Sequence, residues 1–372
     1  WRPPASQASD YDAVLQRVLD TFQPRLAAAV RERERAPVLL AELLRHPPLR
    51  RQMLIRNSRR FHSVALCAYV LDCSRQKLPS DLLQAEELAA LGLLLAESLG
   101  GDGVEAKTVE DLRACGWTLT ATVRRAAFDL PAADQAFRHA EDLLHKGAQD
   151  HMVRAHLLIS KACLRREQGR YAEAVSLVRR GLSICLWAGE VRRAAEAMVG
   201  WAFICEDTGD LDFGVRLLRN AWALAAHLGD DQLDLLVSHN LAHLLCASGR
   251  AAEAWMLIRR QRHLYRAAKS PITRLRFFWL NARIACAFGQ TTRAHRLLRR
   301  LFNRFLSLGS YEAAFVALDL ALLEAGAGRF AEAEDLARQA LVVLRPLNDR
   351  DALAAYIILQ QAAARSRDSL LP

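Results

Sequence analysis

One glycine recurs along the second half of the chain at an almost fixed interval. Gly169, Gly209, Gly249, Gly289 and Gly328 are separated by 40, 40, 40 and 39 residues. An alanine precedes each glycine by seven positions, and a small residue follows each by five. These two columns are Ala162, Ala202, Ala242, Ala282 and Ala321, then Ala174, Gly214, Ala254, Ala294 and Ala333. Self-similarity at a period of this length is the signature of a repeat protein.

The three columns predict a pair of helices in each repeat. A tight turn between antiparallel helices needs a residue with positive φ, and small side chains are needed where the two backbones approach. Apolar residues recur at three- and four-residue spacing, and alternating strand patterns are rare. We expect helices over 154–168 and 171–188, with the same pairing repeated to about residue 345. A further column closes the second helix of each repeat: Gly189, Gly229, Lys269 and Gly309.

Two segments carry a resemblance to a known family. GRYAEAVSLVRRGL (Gly169 to Leu182) and GRFAEAEDLARQAL (Gly328 to Leu341) resemble the turn and second helix of tetratricopeptide repeats. The resemblance implies an all-α fold, a right-handed α-solenoid of antiparallel two-helix repeats. The period of about 40 residues exceeds the family's usual 34. It is similar to the longer-helix variants found in bacterial regulatory and scaffold proteins.

The repeat pattern predicts five segments. They are a linker (1–9), an N-terminal helical cap or docking segment of two or three helices (10–56), degenerate repeats (57–146), five regular repeats (154–345) and a C-terminal capping helix (349–368). A solenoid needs such caps because each end exposes an apolar face. The chain opens with Trp1 and not with methionine, so the sequence leaves open an upstream effector or DNA-binding domain.

Composition indicates a cytoplasmic protein, and the resemblance to bacterial regulatory proteins implies a bacterial one. The eight cysteines are scattered without a CxxC pair, which favours reduced thiols over a disulfide framework. We find neither a signal peptide nor an apolar stretch long enough to span a bilayer, and therefore expect no membrane association. The net charge of +10 comes almost wholly from arginine. This charge is compatible with anionic partners without establishing one.

The family resemblance implies that the first helix of each repeat lines a concave groove. Residues near the alanine column would then contact a protein or peptide segment, and an acidic segment would suit the arginines and tryptophan of this set. Two acids could meet a basic residue of the same ligand. The alternative is that the tryptophan packs in the core beneath the arginines. The candidate groove residues are Phe203, Glu206, Asp207, His239, His243, Arg276, Trp279 and Arg283.

Catalytic and metal-binding patterns are missing from the sequence. His239 and His243 lie four residues apart, as two metal ligands on one helix face would. No HExxH motif accompanies them, so we expect hydrogen bonds in the groove or between repeats and no metal. The chain also lacks a P-loop, a dinucleotide fingerprint and a nucleophile elbow. We therefore predict no cofactor and a non-enzymatic scaffold or regulatory module.

Arginine clusters provide the alternative function. A nucleic-acid backbone would bind them by counterion release, whereas the simpler interpretation is a solvated arginine face. The strongest candidates accompany a break in the repeat near the N-terminus: Arg50, Arg51, Arg56, Arg59 and Arg60. Others lie on predicted outer helices: Arg259, Arg260, Arg262, Arg266, Arg293, Arg296, Arg299, Arg300 and Arg304. A third hypothesis is homo-oligomer assembly through the terminal helices.

Overall fold

The chain is helical throughout the residues that the structure describes. The computed structural model describes residues 5–78, 81–99, 105–268, 270–344 and 349–368. These residues form 18 α-helices and one short 3₁₀ turn, Arg59–Phe61, with no strand among them. The all-α prediction is confirmed. The helices divide into two compact units at residues 160 and 161, and α7 spans this division.

The first unit contains six helices and the beginning of a seventh. They are α1 Ala5–Leu44, α2 Pro48–Asn57, α3 Val64–Lys77, α4 Leu82–Ser98, α5 Ala106–Ala126, α6 Leu130–Lys146 and α7 His151–Glu167. Side-chain caps fix several starts: Ser63 accepts from the Leu66 amide at 3.3 Å, and Asp81 accepts from the Gln84 amide at 3.0 Å. Buried aliphatic side chains of α1, α3 and α4 form its main core.

The second unit holds the regular repeats. Its helices are α8 Tyr171–Trp187, α9 Val191–Thr208, α10 Leu211–Ala226, α11 Asp231–Ala247, α12 Ala251–Arg260, α13 Arg262–Ala267, α14 Pro271–Ala287, α15 Thr291–Ser307, α16 Glu312–Gly326, α17 Phe330–Leu344 and α18 Asp349–Asp368. Helices adjacent in sequence pack together, for example α9 on α10 and α16 on α17. The unit is a stack of antiparallel two-helix repeats.

The glycine turns have the predicted conformation. The five repeat glycines have φ between 71° and 84°. At Gly289 the amide donates to the Cys286 carbonyl at 2.9 Å, and the next amide donates to the Ala285 carbonyl at 2.9 Å. The small residues that follow are buried against the paired helix. A Cβ added at Gly214 would lie 2.6 Å from Cδ2 of Leu244 and 3.2 Å from Cβ of Cys205, so a larger residue there requires these side chains to shift.

The structure differs from the sequence prediction at two places. Helix α1 begins at Ala5, so residues 5–9, predicted as linker, are helical, while residues 1–4 and Lys269 lie outside the described residues. The second helix of the third regular repeat is split at Gln261 into α12 and α13. Gln261 is buried, and its Nε2 lies 3.2 Å from Oδ2 of Asp234. Asp234 also accepts a hydrogen bond from the Trp222 indole at 2.7 Å.

Helix α18 packs on α17 at the end of the second unit. Ala352, Ala355 and Ile358 are buried in the same cluster as side chains of α16 and α17. Among the described helices, none is both long enough and apolar enough to cross a bilayer.

Candidate functional site

A row of side chains joined by hydrogen bonds and ion pairs runs across successive first helices of the second unit. We call it the first-helix row, and its members come from α7, α9, α11, α14 and α16: Arg166, Glu206, Asp207, His243, Trp279, Arg283 and Asp319. The helices are placed side by side by the 40-residue repeat, so residues about 40 positions apart become neighbours. Most links in the row join such pairs.

The row begins with a cation held by two residues of α9. Arg166 Nε lies 3.3 Å from Oδ2 of Asp207, and its guanidinium carbon lies 5.4 Å from the centre of the Phe203 ring. An arginine over an aromatic face is attracted by the ring's quadrupole. Phe203 and Asp207 are therefore engaged by their own chain.

His243 is the centre of the row. Its Nε2 lies 2.8 Å from Oε1 of Glu206, and its Nδ1 lies 3.0 Å from Nη1 of Arg283. A guanidinium group has donors only, so Nδ1 must accept and Nε2 must donate to the carboxylate. The contacts therefore select the neutral imidazole with its proton on Nε2.

The same contacts set the charge of Glu206. Burial alone would raise the pKa of its carboxyl, but the hydrogen bond from His243 and the charges of Arg283 and Arg166 bring that pKa below its ordinary value. Glu206 is thus a carboxylate at neutral pH. Its negative charge is balanced by Arg283 and Arg166 of the same chain.

Asp319 closes the row on α16. It accepts a hydrogen bond from Nε1 of Trp279 at 2.6 Å, and Nε of Arg283 lies 3.7 Å from the same oxygen. The Trp279 ring meets Phe305 and Phe315 with centroids 6.2 and 6.5 Å apart. Trp279 consequently packs against the core with its indole N–H anchored, which agrees with the packing alternative for this residue.

Arg276 and His239 find partners outside the row. Nε of Arg276 donates to Oε1 of Glu312 at 3.0 Å, and Glu312 is buried. Nδ1 of His239 lies 2.8 Å from the hydroxyl of Tyr265, which is also buried. Burial, as the largest cause, and the nearby charge of Arg276 lower the pKa of His239 to about 3. His239 is therefore neutral.

The two histidines thus serve different networks. Within the described residues, no three His, Cys, Asp or Glu side chains are arranged to hold a metal ion. Both histidines make the hydrogen bonds between helices that the sequence favoured.

The two arginines predicted to contact an acidic ligand are already paired with acids of their own chain. Arg276 and Arg283 face Glu312 and Asp319, while Glu206 faces His243. Sequence reasoning missed both of these partner acids of α16. It also missed Arg166, although Arg166 and Glu206 occupy the same repeat position, four residues after the alanine. The structure brings predicted residues together, but as partners of one another.

Apolar side chains remain exposed at equivalent positions of the first helices. Leu236 lies six residues before its repeat alanine, as Arg276 does, and is 40% exposed. Leu322 follows its alanine directly, as Arg283 does, and is 57% exposed. The first helices therefore carry half-buried polar groups beside leucines that are exposed.

The N-terminal arginines lie in the first unit and are partly used there. Arg51 pairs with Glu87 and donates from Nε to the His46 carbonyl at 2.6 Å. Arg60 pairs with Glu42 at 2.6 Å. Arg50, Arg56 and Arg59 are exposed on α2 and the 3₁₀ turn that follows it. Arg51 and Arg60 therefore form ion pairs within the first unit, and a nucleic-acid contact by this cluster stays a prediction.

Comparison with known proteins identifies the fold. No protein-family model matches the sequence, and no curated protein matches it. Solved structures do match, and they define the class: a tetratricopeptide-like solenoid of two-helix repeats, as the sequence predicted.

Three of the similar structures are Rap proteins. One is a Rap protein complexed with the competence and sporulation factor: TM-score 0.53, 13% identity, covering 90% of this chain and 98% of that one. Another is the apo form of RapI, with a TM-score of 0.56 and 11% identity, covering 76% of this chain and 98% of that one. A third is the Rap conjugation gene regulator of the plasmid pLS20 in complex with the Phr* peptide. Its TM-score is 0.50 and its identity 12%, and the match covers 81% of this chain and 95% of that one. At these identities the similarity concerns the fold.

Proposed function

We propose that this chain is a non-enzymatic regulatory scaffold that binds an extended peptide, or a segment of a partner protein, along the first helices α9, α11, α14 and α16. The observation that best supports this proposal is the first-helix row, a band of half-buried hydrogen-bonding groups. The exposed Leu236 and Leu322 lie on the same helices. Such a band offers donors and acceptors to a peptide backbone and apolar area to its side chains.

The ligand's chemistry follows from the charges. Because the row's acids and bases are already matched, a ligand gains most from hydrogen bonds and from contact with the two leucines. Arg276, whose side chain is 43% exposed, is the cation best placed for a ligand carboxylate, which would share it with Glu312. We therefore propose a largely apolar peptide with at most one or two acidic residues.

Two further observations support the proposal. Two of the proteins that share this fold are complexes, one with the competence and sporulation factor and one with the Phr* peptide. All eight cysteines are free, which agrees with a reducing compartment such as the bacterial cytoplasm.

The test is selection of linear peptides from a displayed random library, followed by fluorescence anisotropy with the enriched peptide. The double variant Leu236→Glu, Leu322→Glu places charge on the first helices. The matched control, Leu186→Glu with Val342→Glu, makes the same change at exposed positions of the second helices α8 and α17.

Losing the burial of even one leucine is worth about 1.5–3 kcal/mol, so the first-helix variant should bind at least about tenfold more weakly. The control should bind like the wild type. Failure to enrich any linear peptide, or equal weakening in both variants, would contradict the proposed function.

A further inference from the structure

Positive charge is concentrated in one part of the chain. Residues 254–311 contain 12 arginines and one lysine but no aspartate or glutamate, whereas acids make up 41 of the chain's 372 residues. The net charge of the whole chain is +10. This segment contributes +13, so the rest of the chain is slightly acidic.

The structure separates these arginines into two groups. Arg276, Arg283 and Arg299 pair with acids of α16 and α17, outside the segment. The other nine are exposed, and none forms an ion pair with any residue that the structure describes: Arg259, Arg260, Arg262, Arg266, Arg274, Arg293, Arg296, Arg300 and Arg304. Unneutralised cations at this density repel one another, so an anionic partner would relieve their mutual repulsion.

Four of the nine form a row on the second helix α15. Arg293, Arg296, Arg300 and Arg304 follow one another at spacings of three, four and four residues, which places them on one helix face. At 1.5 Å per residue the row is about 16 Å long. The opposite face of α15 is packed into the unit, where Leu298, Leu301 and Phe305 are buried.

A second group lies on α12 and α13, which pack against α14 as α15 does. Arg259 lies 4.5 Å from the centre of the Trp255 ring, and Arg260 lies 5.7 Å from that of Trp222. These rings hold the guanidinium groups in place while leaving their charge unmatched. The eight unpaired arginines of these three helices are together called the arginine surface: Arg259, Arg260, Arg262, Arg266, Arg293, Arg296, Arg300 and Arg304.

We infer that the arginine surface binds the phosphate backbone of double-stranded DNA without reading its sequence. Guanidinium groups match phosphate oxygens in geometry and charge. A row of about 16 Å is long enough to reach phosphates on both sides of the major groove of B-DNA, which is about 12 Å wide. This site is on second helices, so it is separate from the proposed peptide site.

Other anionic partners fit this surface less well. Binding in the plane of a membrane requires an apolar helix face free to enter the lipid, and that face of α15 is buried. Single-stranded binding relies on rows of exposed aromatic rings for base stacking. The α15 row carries no aromatic residue, and Trp255 is already covered by Arg259.

The experiment measures binding of a labelled DNA duplex to the full chain between about 0.05 and about 0.2 M salt. The test variant is Arg296→Gln with Arg300→Gln. The control is Arg179→Gln with Arg180→Gln, two exposed arginines of α8 that lie three repeats earlier, with Arg180 at the repeat position of Arg300. Parallel titrations use the single strand alone and vesicles containing phosphatidylserine.

Each lost phosphate contact should reduce the slope of log K against log salt by about 0.9, so the α15 variant should show a slope shallower by about 1.8. The α8 variant should keep the wild-type slope. The inference is overturned if the wild type does not bind the duplex at low salt or if both variants weaken alike. Stronger binding to the single strand or to vesicles than to the duplex would overturn it too.

Discussion

Two glycines of the second unit should respond in opposite directions to the same substitution. Gly289 forms a repeat turn with φ of 72°, and Gly200 lies inside α9 with ordinary helical geometry. A Cβ added at either position meets no atom of a more distant residue within 4 Å. A clash with the rest of the fold is therefore excluded at both, and the difference between them is the local backbone conformation.

The magnitudes follow from that difference. Alanine in the left-handed region costs about 1–2 kcal/mol, so Gly289→Ala should lower the free energy of unfolding. Alanine in a helix interior is more favourable than glycine by roughly 0.8–1 kcal/mol, so Gly200→Ala should raise it. The two variants should differ by about 2 kcal/mol or more.

Urea unfolding followed by far-ultraviolet circular dichroism measures both variants beside the wild type. The expected order of midpoints is Gly289→Ala below wild type and Gly200→Ala above it. If Gly289→Ala is as stable as the wild type, or if Gly200→Ala is destabilised, the account of the repeat turns is wrong.

Two further predictions concern packing and pH. Gly214→Ala should destabilise the chain by up to about 2 kcal/mol, because an overpacking cost of about 1–3 kcal/mol outweighs the gain of about 1 kcal/mol from alanine in a helix. The new Cβ would lie 2.6 Å from Cδ2 of Leu244 and 3.2 Å from Cβ of Cys205. Urea unfolding checks this, and stabilisation would refute it. The pKa of His239 falls to about 3 on folding from 6.5, so the unfolded chain binds more protons between these values and stability declines as pH falls below 6.5. Relative to His239→Gln, the wild type should lose up to about 1.4 kcal/mol per pH unit between about pH 6 and pH 5, and equal slopes in pH-dependent unfolding would contradict this.

The fold could be predicted because its determinants are local. A positive-φ turn needs glycine whatever lies elsewhere, and a close helix contact needs a small side chain such as that of Ala254 or Ala294. Repetition then placed the same requirement five times in one sequence. The interruption at Gln261 could not be predicted in this way, because neither Gln261 nor its contact Asp234 on another helix belongs to a repeat column.

The candidate site was predicted only in part. Spacing from the alanine column placed His243, Arg283 and Trp279 on neighbouring helices, where the structure has them. The hydrogen-bond partners of these residues depend on the directions of their side chains, which the spacing from the alanine column does not specify. Asp319 lies two positions before its alanine, where the preceding repeat has the buried Leu280. No repeat position therefore indicated that an acid of α16 would neutralise Arg283.

Photo-crosslinking of a bound peptide tests the central proposal most directly. The library-selected peptide carries one photoreactive residue, and the cross-linked positions are identified by peptide mass spectrometry on the wild-type chain. The proposal predicts cross-links on the first helices α9, α11, α14 and α16, near His243 and Leu322. Cross-links confined to the second helices α10, α12, α15 and α17 would contradict it.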